Sequence, residues 1–274
     1  MPIQPPERLP RKAVEIEGRA VSFVHASSRW QIRRERLVLI HGSGCSADSW
    51  RYQVDDLSRE FEVLALDLPG HGGSAPAGDP SVERYAAEVG DVIQRIGRRK
   101  IFLVGHSLGG AVALQLALDQ PQLLKGLVLV ATAAHLETLA LTPDVLMWAI
   151  AALPHKFKGM FFSDLVTKEA LAIARDDVRR CSLETVLGDF SASRNFDFKS
   201  RLGLLKLPVL IFCGSDDLIT PVRYSERLHQ GISGSILELV EKAGHMLPLE
   251  SPERVNAAIR KFVHGAKGQR KPWG

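Results

Sequence analysis

The chain has 274 residues, 45% of them hydrophobic and 24% charged, which fits one large globular domain, with or without an insertion, and excludes a disordered or collagen-like chain. Its formal charge of +4 is concentrated at the ends. Arg8, Arg11 and Lys12 against Glu7 make residues 1–12 net +2, and Lys267, Arg270 and Lys271 make residues 264–274 net +3. The body is left at −1, so the basicity predicts two flexible solvated tails and gives no support to a nucleic-acid face.

In chain order, residues 13–26 alternate apolar and polar side chains on either side of Gly18 and predict an antiparallel hairpin. RLVLIHG (36–42) and EVLALDLPG (62–70) predict two buried strands, with a short helix around Trp50 to Leu57 between them. Over residues 81–97, Val82, Tyr85, Ala86, Val89, Val92, Ile93 and Ile96 fall on one helical stripe. KIFLVGHS then predicts strand and turn, LGGAVALQLALDQP a helix ended by Pro121, and KGLVLVAT another strand. From about Ala133 to Leu204 only helical patterns occur: DVLMWAIAAL, KEALAIARDDVRRC and ETVLGDF. The strand–helix rhythm resumes with LPVLIFCGSDD, PVRYSERLHQ, SILELVEKAGH and SPERVNAAIRKFV.

Alternating helices and apolar strands predict an α/β fold with a mainly parallel sheet covered on both faces. A helical excursion of about 70 residues inside that rhythm predicts an inserted cap, because an unstructured loop of that length is improbable. The expected organisation is a tail over 1–12, a main domain from 13–132 and 205–263, a cap over 133–204 and a basic tail over 264–274. Cys45, Cys181 and Cys213 are odd in number and widely spaced, without metal-ligand or disulfide spacing. With no signal-like apolar core in MPIQPPERLPRK and no run of membrane-spanning length, a cytoplasmic protein without membrane or metal is expected.

Two motifs compete for the same letters. Gly42-Ser43-Gly44-Cys45-Ser46-Ala47 satisfies G-x-G-x-x-A, and Asp67 lies where an acidic residue would grip a ribose. Against this, GHSLGG (105–110) sets Ser107 in G-x-S-x-G between a strand and a helix. Such a turn strains its central residue and needs small neighbours, and it lifts the serine clear of the sheet at a helix N-terminus. Serine is a poor nucleophile without a base, and the base needs an orienting acid. Asp216 and Asp217 follow one later strand and His245 follows another, so the carboxyl ends of three strands carry the three groups. The dinucleotide reading leaves all of these unexplained.

HGSG (41–44), DLPGHGGS (67–74), GHSLGG (105–110), GSDDLITP (214–221) and AGHMLPLESP (243–252) resemble the α/β-hydrolase superfamily, over about 25–263 apart from the cap. The resemblance implies Asp217 as the acid, because G-x-x-D-x-x-x-P aligns on Gly214, Asp217 and Pro221. It also implies an oxyanion hole made by the backbone N–H groups of Ser43 and Leu108, and no cofactor. GDFSASRNFDFKSRL with the later strand resembles capped carboxylesterases and enol-lactonase-like hydrolases, so the expected activity is cleavage of a small-to-medium ester or lactone. Carbon–carbon bond hydrolases, perhydrolases and hydroxynitrile lyases share the triad, and a hydrolase-fold binding protein is the non-enzymatic alternative. Met147, Trp148, Phe161 and Phe162 of the cap are the expected pocket residues, whereas Cys45, His71 and His106 are expected to be structural and His229 and His264 surface. Oligomeric state leaves no mark in the sequence.

Overall fold

A computed structural model of the chain describes residues 6–28, 34–76, 78–97, 99–136 and 155–268. Eight strands among them form one sheet: β1 (Lys12–Ile16), β2 (Arg19–Ala26), β3 (Arg36–Ile40), β4 (Glu62–Leu66), β5 (Ile101–His106), β6 (Leu124–Val130), β7 (Val209–Gly214) and β8 (Ile236–Val240). Their order is β1-β2-β4-β3-β5-β6-β7-β8. The β1–β2 hairpin and the β2–β4 pairing are antiparallel, and β4 through β8 are parallel. The predicted α/β-hydrolase architecture is therefore present, with the strand order reversing direction at β3.

Burial on both faces explains the apolar strands. All five residues of β3 are buried. Val38 and Ile40 face one hydrophobic core, Leu37 and Leu39 the other, as the two-residue period of a strand requires. On the first face lie α2 (Val82–Arg95) and α3 (Leu108–Asp119). Ser81 caps α2 by accepting from the Arg84 amide, and the predicted stripe is the face it buries. The second face is covered by α1 (Arg51–Leu57) and α8 (Pro252–Gly268). Between these, α7 (Val222–Gly231) links β7 to β8.

Between β6 and β7 the described chain forms α4 (His155–Phe161), α5 (Lys168–Arg180) and α6 (Leu183–Arg194). Thr167 and Ser182 cap the latter two. DVLMWAIAAL lies outside the described residues. Two expectations about the ends are revised. Residues 8–12 are docked rather than loose, because Arg8 and Arg11 reach buried carboxylates. At the other end, α8 continues to Gly268 and so takes in the first residues of the predicted basic tail. Among the described residues no helix is long and apolar enough to cross a membrane.

Candidate active site

The switch in strand order leaves a crevice above the carboxyl ends of β3 and β5, where open α/β sheets place ligands. β5 runs directly into Ser107, which takes φ 53° and ψ −119° before α3 begins. A non-glycine residue is held there only by its surroundings. Those surroundings are tight: a Cβ on Gly105 would lie 2.3 Å from the Gly109 carbonyl oxygen, and one on Gly109 would lie 2.4 Å from the carbonyl oxygens of Ile40 and His41. The small residues of GHSLGG thus let α3 start against β3, and Thr132 Oγ1 donates to the Ser107 carbonyl at 2.7 Å.

The turns after β7 and β8 bring the other two groups to this point. His245 Nε2 is 3.0 Å from Ser107 Oγ, and His245 Nδ1 is 2.9 Å from Asp217 Oδ2. Both Asp217 and His245 are 3% exposed, whereas Asp216 is exposed and accepts from the Ser215 hydroxyl. Asp217 also accepts from the amides of Ile219 and Thr220, both at 2.8 Å, and from Thr220 Oγ1 at 2.7 Å. Burial alone would raise its pKa, but His245 and the Thr220 donors outweigh that and hold it at about 2. Thr220 Oγ1 is also 3.3 Å from His245 Nδ1. His106 Nε2 donates to the His245 carbonyl at 2.9 Å, and the His245 amide donates to the Phe161 carbonyl at 3.0 Å. Burial, followed by the neighbouring His245, lowers the His106 pKa to about 3, so His106 is a neutral support.

The loop after β3 is held by two buried carboxylates from the inserted helices. Asp177 on α5 accepts from the Ser46 amide at 3.1 Å, Ser46 Oγ at 2.6 Å and Ser49 Oγ at 2.9 Å. Burial pushes Asp177 up to about 6 despite those donors. Asp189 on α6 is fully buried and accepts from the Gly44 amide at 3.4 Å, His71 Nε2 at 3.0 Å and Tyr85 Oη at 3.0 Å. On the outer side, Asp67 accepts from the Ala47 amide at 2.8 Å, Ser22 Oγ at 2.8 Å and the Gly73 amide at 3.1 Å, and pairs with Arg11. Asp67 is thus a buried brace for the loop and turned away from a ligand, which disposes of its ribose role. Sequence reasoning missed Asp177, Asp189 and Thr220.

A cavity of about 120 Å³ opens beside Ser107. Ser43, Leu108 and His245 line it together with apolar side chains that include Leu136, Val178, Val186, Phe190 and Phe196. Of the expected pocket residues, Phe161 lines it and stands 6.2 Å, ring to ring, from His245. Phe162 does not line it: the chain leaves α4 here, and its ring packs with Cys45, Ile173 and Met246. Met147 and Trp148 lie outside the described residues. Cys45 reaches the cavity wall, but its thiol is pushed far up by burial and then by Asp177, which suits an inert residue. His229 and His264 are exposed. No group of three or more His, Cys, Asp and Glu side chains suited to a metal occurs among the described residues.

A family model described as the alpha/beta hydrolase family matches residues 37–258. The chain is 34% identical over 249 residues to the pimeloyl-[acyl-carrier protein] methyl ester esterase of Neisseria meningitidis, covering 84% of this chain and 94% of that protein. Among solved structures, a thermophilic esterase superposes with a TM-score of 0.78 at 29% identity, over 94% of this chain and 99% of the other. The enol-lactonase of Burkholderia xenovorans superposes with a TM-score of 0.82 at 22% identity, over 92% and 100% of the two chains, a likeness of fold.

Proposed function

The chain belongs to the alpha/beta hydrolase family, and from that premise we propose that it is a serine hydrolase cleaving a small-to-medium carboxylic ester or lactone through an acyl-enzyme. The observation that carries this reading is the unbroken chain from Ser107 Oγ through the His245 ring to Asp217, at 3.0 and 2.9 Å. In the proposed reaction Ser107 Oγ attacks the acyl carbonyl while His245 Nε2 takes its proton. Asp217, ionised at any pH above about 2, fixes the tautomer with the proton on Nδ1 and stabilises the imidazolium. The negative charge developing on the carbonyl oxygen is met by the Ser43 and Leu108 amides. Leu108 is the first residue of α3, so its amide has no partner within the helix. Collapse of the adduct returns the proton to the departing alkoxide and leaves Ser107 acylated. His245 then deprotonates a water that attacks the ester, and the acid leaves as Ser107 regains its proton.

The cavity supports an uncharged acyl group. Among the described residues that line it no aspartate, glutamate, lysine or arginine is present, so they offer no partner to a charged substrate end. Its volume of about 120 Å³ is below the ~300–1,000 Å³ of sites for drug-sized ligands, which favours short acyl chains.

The test is labelling of the intact protein with a fluorophosphonate, read by mass, together with turnover of a short p-nitrophenyl ester. One adduct on Ser107, absent in Ser107→Ala, with ester turnover lost in the same variant, is the expected result. A folded protein that neither labels nor turns over esters would refute it.

A further inference from the structure

His41, His71 and Asp189 form a buried cluster behind the loop that carries Ser43, and none of the three takes part in the reaction above. Hydrogen bonding fixes the protonation of both rings. His41 Nε2 receives the Leu68 amide at 2.9 Å, so its Nδ1 carries the proton and donates to the Gly42 carbonyl at 2.7 Å. His41 is neutral in that arrangement, and burial followed by the charge of His71 lowers its pKa to about 4. His71 differs. Its Nδ1 faces the Pro69 carbonyl at 3.0 Å and its Nε2 faces Asp189 at 3.0 Å, with the Cys181 thiol beside the ring. Two acceptors on the two ring nitrogens require two protons, which makes His71 an imidazolium. Besides His71, Asp189 faces two donors, the Gly44 amide and Tyr85 Oη, the environment of a carboxylate. Burial opposes charge on both, but each outweighs that penalty for the other, raising His71 well above its ordinary value and lowering Asp189.

A buried ion pair of this kind contributes little net stability, since desolvation offsets the attraction. Its position gives it another use. Asp189 comes from the inserted helix α6, His71 from the turn after β4 and Tyr85 from α2, and the carboxylate they fix accepts from the Gly44 amide, directly after Ser43. We propose that Asp189, with His71 as its counter-ion, is the positioning residue of the oxyanion loop, holding Ser43 at the distance from Ser107 that the transition state requires. The inference rests on the serine-hydrolase reading above. His71 is needed because an unbalanced carboxylate behind the loop would repel the negative charge that forms on the substrate oxygen.

The experiment uses the full chain carrying Asp189→Asn, His71→Gln or both changes, with kcat and KM for a short p-nitrophenyl ester and the rate of fluorophosphonate labelling. Each is measured well below the variant's own unfolding temperature. Asp189→Asn is expected to lower kcat about 10- to 100-fold, the effect of a misplacement on the order of 1 Å, with KM within about 2-fold. Labelling, which passes through a similar oxyanion, should slow by a like factor. His71→Gln alone should be slower than the double variant, because Asp189→Asn removes the charge that His71→Gln leaves uncompensated. Wild-type kcat and labelling in folded Asp189→Asn would overturn the proposal, as would a rise in KM with kcat intact. If Asp189→Asn does not fold, Tyr85→Phe removes a donor on the side away from the loop, and a fall in kcat and labelling at constant KM is again expected; unchanged kcat overturns the proposal. Failure of the folded wild-type protein both to label and to turn over the ester would instead overturn the serine-hydrolase reading itself.

Discussion

Arg11→Met removes the guanidinium that two buried carboxylates share while retaining much of the side chain's apolar length. Arg11 Nη1 lies 2.9 Å from Asp48 Oδ1 and Nε lies 3.3 Å from Asp67 Oδ2. The side chains are 18% exposed for Arg11, 5% for Asp48 and 0% for Asp67. At an effective dielectric of ~20 each pair attracts by about 5 kcal/mol, most of which is offset by the cost of taking the three ions out of water. What the variant loses is set by what it leaves behind. Asp67 retains the Ser22, Ala47 and Gly73 donors, and Asp48 retains Arg8 and the Leu9 amide. The loss should therefore fall at the lower end of the range for breaking a buried pair, about 3 kcal/mol at pH 7, or roughly 5–10 °C in Tm. Its pH dependence has a definite sign. Burial raises both carboxyls, but Arg11 and the other donors outweigh it, and both end below their ordinary values. A lowered carboxyl contributes stability that is present above its unfolded value of about 3.9 and is lost as pH falls through the folded one. The gap between wild type and Arg11→Met should be full at pH 7 and narrow below about pH 4. Urea unfolding at pH 7 and at about pH 3.5 measures it. Equal stabilities at pH 7 would refute the docking of residues 8–12 and restore the solvated tail.

Asp217→Asn should lower kcat on an ester about 10⁴-fold through the wrong His245 tautomer, whereas Asp216→Asn should stay within about 2-fold; the reverse would exchange their roles. Gly109→Ala places a Cβ against the Ile40 and His41 carbonyl oxygens and should cost about 3 kcal/mol or more by urea unfolding, and a loss below about 1 kcal/mol would contradict that contact. Cys45, its thiol pushed far up by burial, should resist iodoacetamide at pH 8 until the protein unfolds; rapid alkylation of the native protein would show an accessible thiolate.

The sheet was legible, and the residues that meet in the candidate site could be named, because their signals are local. GHSLGG declares its turn within six residues, and Ser107, Asp217 and His245 each lie within a short turn of the end of a strand that is visible in the sequence. The choice of Asp217 over Asp216 needed the surrounding phrase, since both follow the same strand, and burial of one and exposure of the other agree with it. Illegible were groups whose meaning lies in distant partners. Asp189 meets Gly44 across 145 residues and His71 across 118, and Asp177 meets Ser46 across 131. On α5 and α6 these carboxylates look like ordinary polar positions among RDDVRR and GDFSAS. The basic N-terminus misled for a related reason: a charge count treats terminal arginines as solvated, and no spacing shows that Asp48 and Asp67 await them. Phe161 and Phe162 could not be separated either, because the end of α4 decides which ring faces the cavity.

Buried charge around the loop from Gly42 to Ser49 follows a consistent pattern. Among the described residues four carboxylates surround it, Asp48, Asp67, Asp177 and Asp189; Arg8, Arg11 and His71 pair with them, and Arg180 attracts Asp177 and Asp48 from further off. Uncompensated negative charge there would work against the oxyanion proposed to form at Ser43. His71 serves Asp189, and Arg11 serves Asp67 and part of Asp48. Asp177 is left with Arg8 at 3.2 Å, a cation it shares with Asp48 at 2.6 Å. Asp177 is also the one of the four whose pKa is raised, to about 6, so the carboxyl with the weakest counter-ion is the one that can hold a proton near neutrality. A proton there removes one negative charge, and the protonated carboxyl retains acceptor oxygens for the Ser46 and Ser49 donors. The inserted helices and the N-terminal segment thus hold the loop and also bring its surroundings close to electrical neutrality, the condition that the proposed oxyanion hole of two backbone amides requires.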